Sequence, residues 1–341
     1  MKFGKGLRSA LGLAVTMAAV AAIAPATAAP SSKQTTGNRM EWTTYHPLAD
    51  IYGYMDHVAA AYPSIARETV IGKSVEGRPL KTITIGDPAD KKPGIVLVCG
   101  QHGREWISPA TCTYLMSYIT EGRRASALKD RTVTIVPVAN PDGYEYTFQY
   151  DRLWRKNRRK GPRCAGVDLN RNWGYKWGGK GTSRNMCQET YPGTKAFSEP
   201  ETAALKNYFE TLKTKPAAVL DIHSYGQYIL YPWGYDKVLS PDYKEMDRVG
   251  RLMADKIKKE FQTEYSVGNS AILLYPAAGG LDDYAKAKLR VKYTYTLELG
   301  DTGKYGFNLP SRYIVPTSKE LVAAVTTLDE AISTTQASPQ R

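Results

Sequence analysis

Two histidines and two glutamates in this sequence have the types to hold a metal ion and leave a carboxylate beside it. His102 and Glu105 are three residues apart, His223 lies well downstream, and Glu298 follows later in the chain. With 4 histidines and 33 acidic residues in 341 positions, an H-x-x-E pair arises by chance about 0.4 times. Either histidine alone therefore also fits a satisfied structural role. Two imidazoles and one carboxylate together form a three-ligand zinc set that leaves a fourth position for water. The chemistry implied is metal-assisted hydrolysis.

Such residues need a frame that brings them together. Strands are predicted at 81–86, 94–100, 131–138, 217–223, 228–231 and 291–299. Helices are predicted at 48–61, 108–120, 199–212, 243–261 and 318–332. This alternation predicts one α/β domain with a mixed, mostly parallel central sheet and helices on both faces. Ligands gather outside the carboxyl ends of the strands in such sheets. His102 and Glu105 follow one predicted strand, while His223 and Glu298 end two others, so all four fall at one sheet edge. Residues 144–200 show no period. An unstructured stretch of that length inside a compact domain is expected to carry function.

Composition narrows the class. A chain with 42% hydrophobic and 23% charged residues is not disordered, collagenous or coiled coil. The net charge of +13 invites a nucleic-acid partner, but no nucleic-acid-binding motif accompanies it. Lys2, Lys5 and Arg8, an apolar run at 10–24 and Ala26-Thr27-Ala28 predict a secretory signal peptide over 1–28. The run is too short for a membrane anchor, and no other stretch approaches a membrane span. A secreted, extracellular protein is expected, with a polar leader at 29–42, a catalytic domain at 43–336 and a tail at 337–341. Without 1–28 the charge is +10, and residues 151–163 alone contribute +6.

Six motifs carry a resemblance across nearly the whole mature chain. They are Gln101-His102-Gly103-Arg104-Glu105-Trp106, Leu153-Trp154-Arg155-Lys156, Val167-Asp168-Leu169-Asn170-Arg171-Asn172-Trp173, Ile222-His223-Ser224-Tyr225, Leu274-Tyr275-Pro276-Ala277-Ala278-Gly279-Gly280 and Leu297-Glu298. In their order the chain resembles the zinc carboxypeptidases of the pancreatic type, nearest to the carboxypeptidase A and B group. Carboxypeptidase A is itself a standard example of the His₂Glu zinc set, so that match is resemblance and not derivation. The resemblance implies one zinc ion per chain on His102, Glu105 and His223, with Glu298 as general base. It implies that Arg155 stabilises the developing oxyanion. Asn170 and Arg171 would grip the terminal carboxylate of a peptide or protein, and Tyr275 would close over it. Arg104, Tyr225 and Phe307 would meet residues upstream of the scissile bond, and Asp168 would orient His102.

Asp282 matches the acidic pocket floor of carboxypeptidase B-like enzymes, which implies preference for C-terminal Lys or Arg. Asp221 lies two residues before His223 and shares its strand face. It either adds negative charge to the same cavity or is a hydrogen-bonded structural carboxylate. Leu281, Tyr284, Gly234 and Ser270 depart from the carboxypeptidase B pattern, so mixed cleavage of basic and large apolar C-termini is also expected. Four cysteines allow three pairings; the resemblance implies Cys99–Cys112 and Cys164–Cys187. About 15 residues separate the signal from the matched region, too few for the folded prodomain common in relatives. A monomer is expected. The alternatives are a carboxypeptidase of cell-wall peptides and a zinc-bearing binding protein without catalysis; intact Glu298, Arg155 and Tyr275 argue against the latter.

Overall fold

A computed structural model describes residues 40–87, 92–121, 128 and 131–337. The signal peptide, most of the leader and residues 338–341 lie outside the described residues. Eight strands form one sheet: β1 Ala66–Lys73, β2 Pro79–Ile85, β3 Ile95–Cys99, β4 Val133–Val136, β5 Ala218–Ser224, β6 Tyr228–Tyr231, β7 Ser266–Asn269 and β8 Tyr293–Leu299. The helices are α1 Leu48–Ala61, α2 Ile107–Thr120, α3 Pro141–Gln149, α4 Pro200–Thr211, α5 Tyr243–Phe261, α6 Ser270–Leu273, α7 Leu281–Ala287 and α8 Ile314–Ala337. The strand order is β1-β2-β4-β3-β5-β8-β6-β7. The central β4-β3-β5-β8 block is parallel, and β2 and β6 join it antiparallel on either side. The sheet is therefore mixed with a parallel centre, as predicted.

Burial explains why the central strand β3 reads as a continuous apolar run. Ile95, Leu97 and Cys99 of β3 point into one core with helices α1, α2, α5 and α8. Val96 and Val98 point into a second core with Trp173, Leu205 and Phe209 of α4, and Tyr284 of α7. Period-2 alternation thus serves two apolar faces, which is the pattern of a sheet covered on both sides.

The missed elements have local causes. Strand β1 is a largely exposed edge with a bulge between Val70 and Gly72, which breaks its alternation. In α3, Pro141 and Gly143 look like breakers. Pro141 occupies the first turn, however, and the Asn140 side chain accepts from the Gly143 amide at 2.9 Å. Helix α8 begins at Ile314, ahead of the predicted 318, because Pro316 falls in the first turn where no N–H is needed. Strand β7 and helices α6 and α7 are short, at 4, 4 and 7 residues, below what periodicity resolves. Among the described residues no helix is long and apolar enough to cross a membrane.

Candidate active site

Parallel pairing of β5 and β8 puts His223 directly opposite Glu298. Neighbouring β3 delivers the loop that carries His102 and Glu105. Gly100, at φ +64°, begins that loop, and at Gly103 a Cβ would lie 2.5 Å from the Gly143 carbonyl oxygen. Only glycine permits so close a backbone approach. The Gly103 amide donates to Arg155 O at 3.0 Å, so the loop is laid against the segment that presents Arg155.

The three proposed ligands are buried, with their ligand atoms all within 4.8 Å of one another. His102 Nδ1 lies 2.7 Å from Glu105 Oε1, and His223 Nδ1 lies 2.8 Å from Glu105 Oε2. The two Nδ1 atoms are 3.1 Å apart. His102 Nε2 faces Asp168 Oδ1 at 3.0 Å and His223 Nε2 faces Asp221 Oδ1 at 2.9 Å. Protons held on both Nε2 atoms leave both Nδ1 lone pairs pointing at one place, beside a carboxylate. This donor set fits zinc. Burial opposes ionisation of Glu105, but without a metal the coulombic and hydrogen-bond pull of His102 and His223 outweighs it and holds its carboxyl well below the usual range.

Asp168 contacts more than His102. Its Oδ2 accepts from Arg155 Nε and Nη2 at 3.1 and 2.9 Å, fixing the guanidinium beside the site. Burial opposes ionisation of Asp168 too, yet Arg155 and His102 keep it ionised. Glu298 faces the same cavity, and burial pushes its carboxyl up to about 7 against the pull of His223 and Arg155.

One cavity of about 340 Å³ is lined by His102, Glu105, His223, Arg155 and Glu298 together with Arg104, Asn170, Arg171, Tyr225, Tyr275, Asp282 and Phe307. Arg104 stacks on Phe307 at 4.2 Å, and Phe307 meets Tyr225 at 5.0 Å, so these three form one wall. Asn170 and Arg171 stand on a buried turn, and Tyr275 is an exposed rim residue. Asp282 is buried, accepting from the Asp283 amide at 2.8 Å and from Ser270 Oγ at 3.3 Å. Burial first, and then the charge of Asp221, raises its pKa to about 6. Asp221 does not line the cavity. It lies behind His223, bonded to Gln101 and Asn170.

Leu281 and Tyr284 also face away from the cavity, into the second core. Asn140, which the sequence reading overlooked, ties the site together. Its Nδ2 donates to Gln101 O and Lys156 O, both at 3.1 Å. The Asn-Pro step before a helix was the available signal. Both disulfides, Cys99–Cys112 and Cys164–Cys187, are present.

A His-Glu-His set beside a carboxylate and a fixed guanidinium, at the carboxyl edge of a parallel sheet, defines a zinc-dependent hydrolase. A family model described as zinc carboxypeptidase matches residues 51–324. Carboxypeptidase B of Astacus astacus is 38% identical over 291 residues, covering 84% of this chain and 96% of the relative. Zinc carboxypeptidase A 1 of Anopheles gambiae is 39% identical over 299 residues, covering 86% and 69%. Bovine thrombin-activatable fibrinolysis inhibitor, solved with tick carboxypeptidase inhibitor, superposes at TM-score 0.82 and 36% identity, covering 86% of this chain and 99% of that one. Carboxypeptidase A from Helicoverpa armigera gives TM-score 0.84 and 31% identity, covering 90% and 78%. The chain belongs to the zinc carboxypeptidase family, and it is a metallocarboxypeptidase acting on peptide C-termini.

Proposed function

We propose that the protein is a secreted exopeptidase that releases C-terminal Lys and Arg in preference to other residues, with room for large apolar side chains. His102, Glu105 and His223 would hold the zinc, which when bound acidifies a water and polarises the scissile carbonyl. Glu298 accepts the proton of the attacking water and returns it to the leaving amine. Arg155, held by Asp168, donates to the oxygen that gains charge on the scissile carbonyl. Arg171 makes no carboxylate ion pair among the described residues, which leaves its guanidinium for the substrate's terminal carboxylate. Every one of these groups comes from a single chain, so the reaction needs no residue from a partner, and the protein would act as a monomer. The two disulfides and the basic, then apolar, N-terminal sequence support secretion.

One observation carries the preference for basic residues. Asp282 is buried in the cavity wall, and among the described residues it has an amide and a hydroxyl as donors and no salt-bridge partner. A guanidinium or ammonium would supply the missing charge, whereas an apolar side chain would leave the carboxylate unpaired. Replacing Asp282→Ala should lower kcat/KM for C-terminal Arg at least about 10²-fold more than for C-terminal Phe. In the unmodified protein the Arg reaction should fall as pH drops below about 6, as Asp282 takes up its proton, and the Phe reaction should lack that step. Equal losses on both substrates would contradict the assignment.

A further inference from the structure

Three hydrogen-bond donors converge on Asp221. His223 Nε2 lies 2.9 Å from Oδ1, Gln101 Nε2 donates to Oδ1 at 2.7 Å, and Asn170 Nδ2 donates to Oδ2 at 2.9 Å. The residue is 1% exposed, so no solvent relieves the arrangement. A carboxylate accepts at both oxygens, while an asparagine of the same shape would turn an NH₂ toward one of the donors. The donors are themselves fixed. Gln101 Oε1 accepts from Trp173 Nε1 at 3.2 Å, and Asn170 Oδ1 accepts from the Leu281 amide at 2.9 Å.

We propose that Asp221 is a positioning residue that couples the metal centre to the subsite for the substrate's terminal carboxylate. Through Oδ1 it holds the His223 proton on Nε2, leaving the Nδ1 lone pair on the Glu105 side. Through Oδ2 it sets the amide of Asn170, which lines the cavity. With Asp168 behind His102, each imidazole of the ligand set then has its own carboxylate. The proposal rests on zinc being held by His102, Glu105 and His223. It gives Asp221 a role behind the cavity wall, not as a direct substrate contact.

Zinc affinity, measured on the full chain by competition with a chromophoric chelator, tests this in Asp221→Asn against the unmodified protein. Affinity should fall about 10–100-fold. At saturating zinc, Asp221→Ala, which removes both acceptor oxygens, should raise KM for a peptide by a larger factor than it lowers kcat, because Asn170 has then lost its anchor. Should the variants fail to fold, nitrogen-15 NMR of histidine-labelled, zinc-loaded unmodified protein reads the tautomer directly, with His223 protonated at Nε2. Unchanged affinity in Asp221→Asn, or a His223 proton absent from Nε2 while zinc is bound there, overturns the proposal. An unmodified protein that binds no zinc at His223 overturns the underlying ligand assignment instead.

Discussion

Glu298 shows how environment can suit a carboxyl to the proton transfer proposed for it. Burial raises it to about 7, and a cation on the neighbouring ligand set would favour its ionised form. Glu298→Gln keeps the shape and the zinc ligands but removes the basic oxygen. It should retain zinc at one per chain while kcat falls at least about 10²-fold; a variant with substantial turnover would remove Glu298 from the mechanism. At this scale the sequence was most legible, because metal binding and proton transfer dictate residue types. His102, Glu105 and His223 drew notice by residue type and by their place at predicted strand ends, whereas the three-residue spacing was weak and the resemblance named the set. No role could be read for Asn140 and Gln101, because their amides act on backbone atoms and on Asp221, which only the fold brings near.

Elements explain what the residues cannot. The segment from Tyr150 to Glu199 contains one short 3₁₀ turn, Leu169–Arg171, yet it supplies Arg155, Asp168, Asn170 and Arg171. Its order comes from side-chain bonds and the Cys164–Cys187 link, so no periodicity could have revealed it. The loop before α7 docks on this segment: Trp173 N donates to Gly279 O at 3.0 Å. Gly279 has φ +79°, and a Cβ there would collide with the Arg171 carbonyl oxygen. Gly279→Ala should therefore destabilise the protein by about 1–3 kcal/mol and raise KM by displacing Arg171. Denaturant midpoints and steady-state kinetics would check this, and an unchanged KM would detach the loop from substrate binding. The parallel centre of the sheet was legible from the alternation of strands and helices; the edge strand β1 was not, because solvent permits almost any residue there.

The charge excess reads differently across the whole molecule. Much of the basic cluster at 151–163 is spent internally: Arg152 stacks on Trp106, Arg158 on Tyr146, Arg159 pairs with Glu199, and Lys156 donates to Met186 O. Net charge alone suggested a polyanion partner, but most of these cations brace the catalytic segment. Buried acids set the pH response of stability. Burial raises Glu201 to about 7 and also raises Asp283 and Glu320. Between the unfolded value near 4.5 and about 7, the native Glu201 holds a proton that the unfolded chain has released. Stability should thus fall as pH rises through that window. Denaturation of metal-free protein from pH 5 to 8 should show the decline, with Glu201→Gln flattening it; stability that climbs over that range would contradict the assignment.

The central claim, a zinc-dependent enzyme whose acidic pocket selects basic C-termini, is tested most directly by one assay. Purified protein is given matched peptides ending in Arg, Lys, Phe and Glu, before and after thorough chelation and then with zinc restored. Arg and Lys should be released fastest and Glu slowest, with all activity lost on chelation and recovered with one zinc per chain. Activity that survives chelation, or Phe released faster than Arg and Lys, would contradict the account.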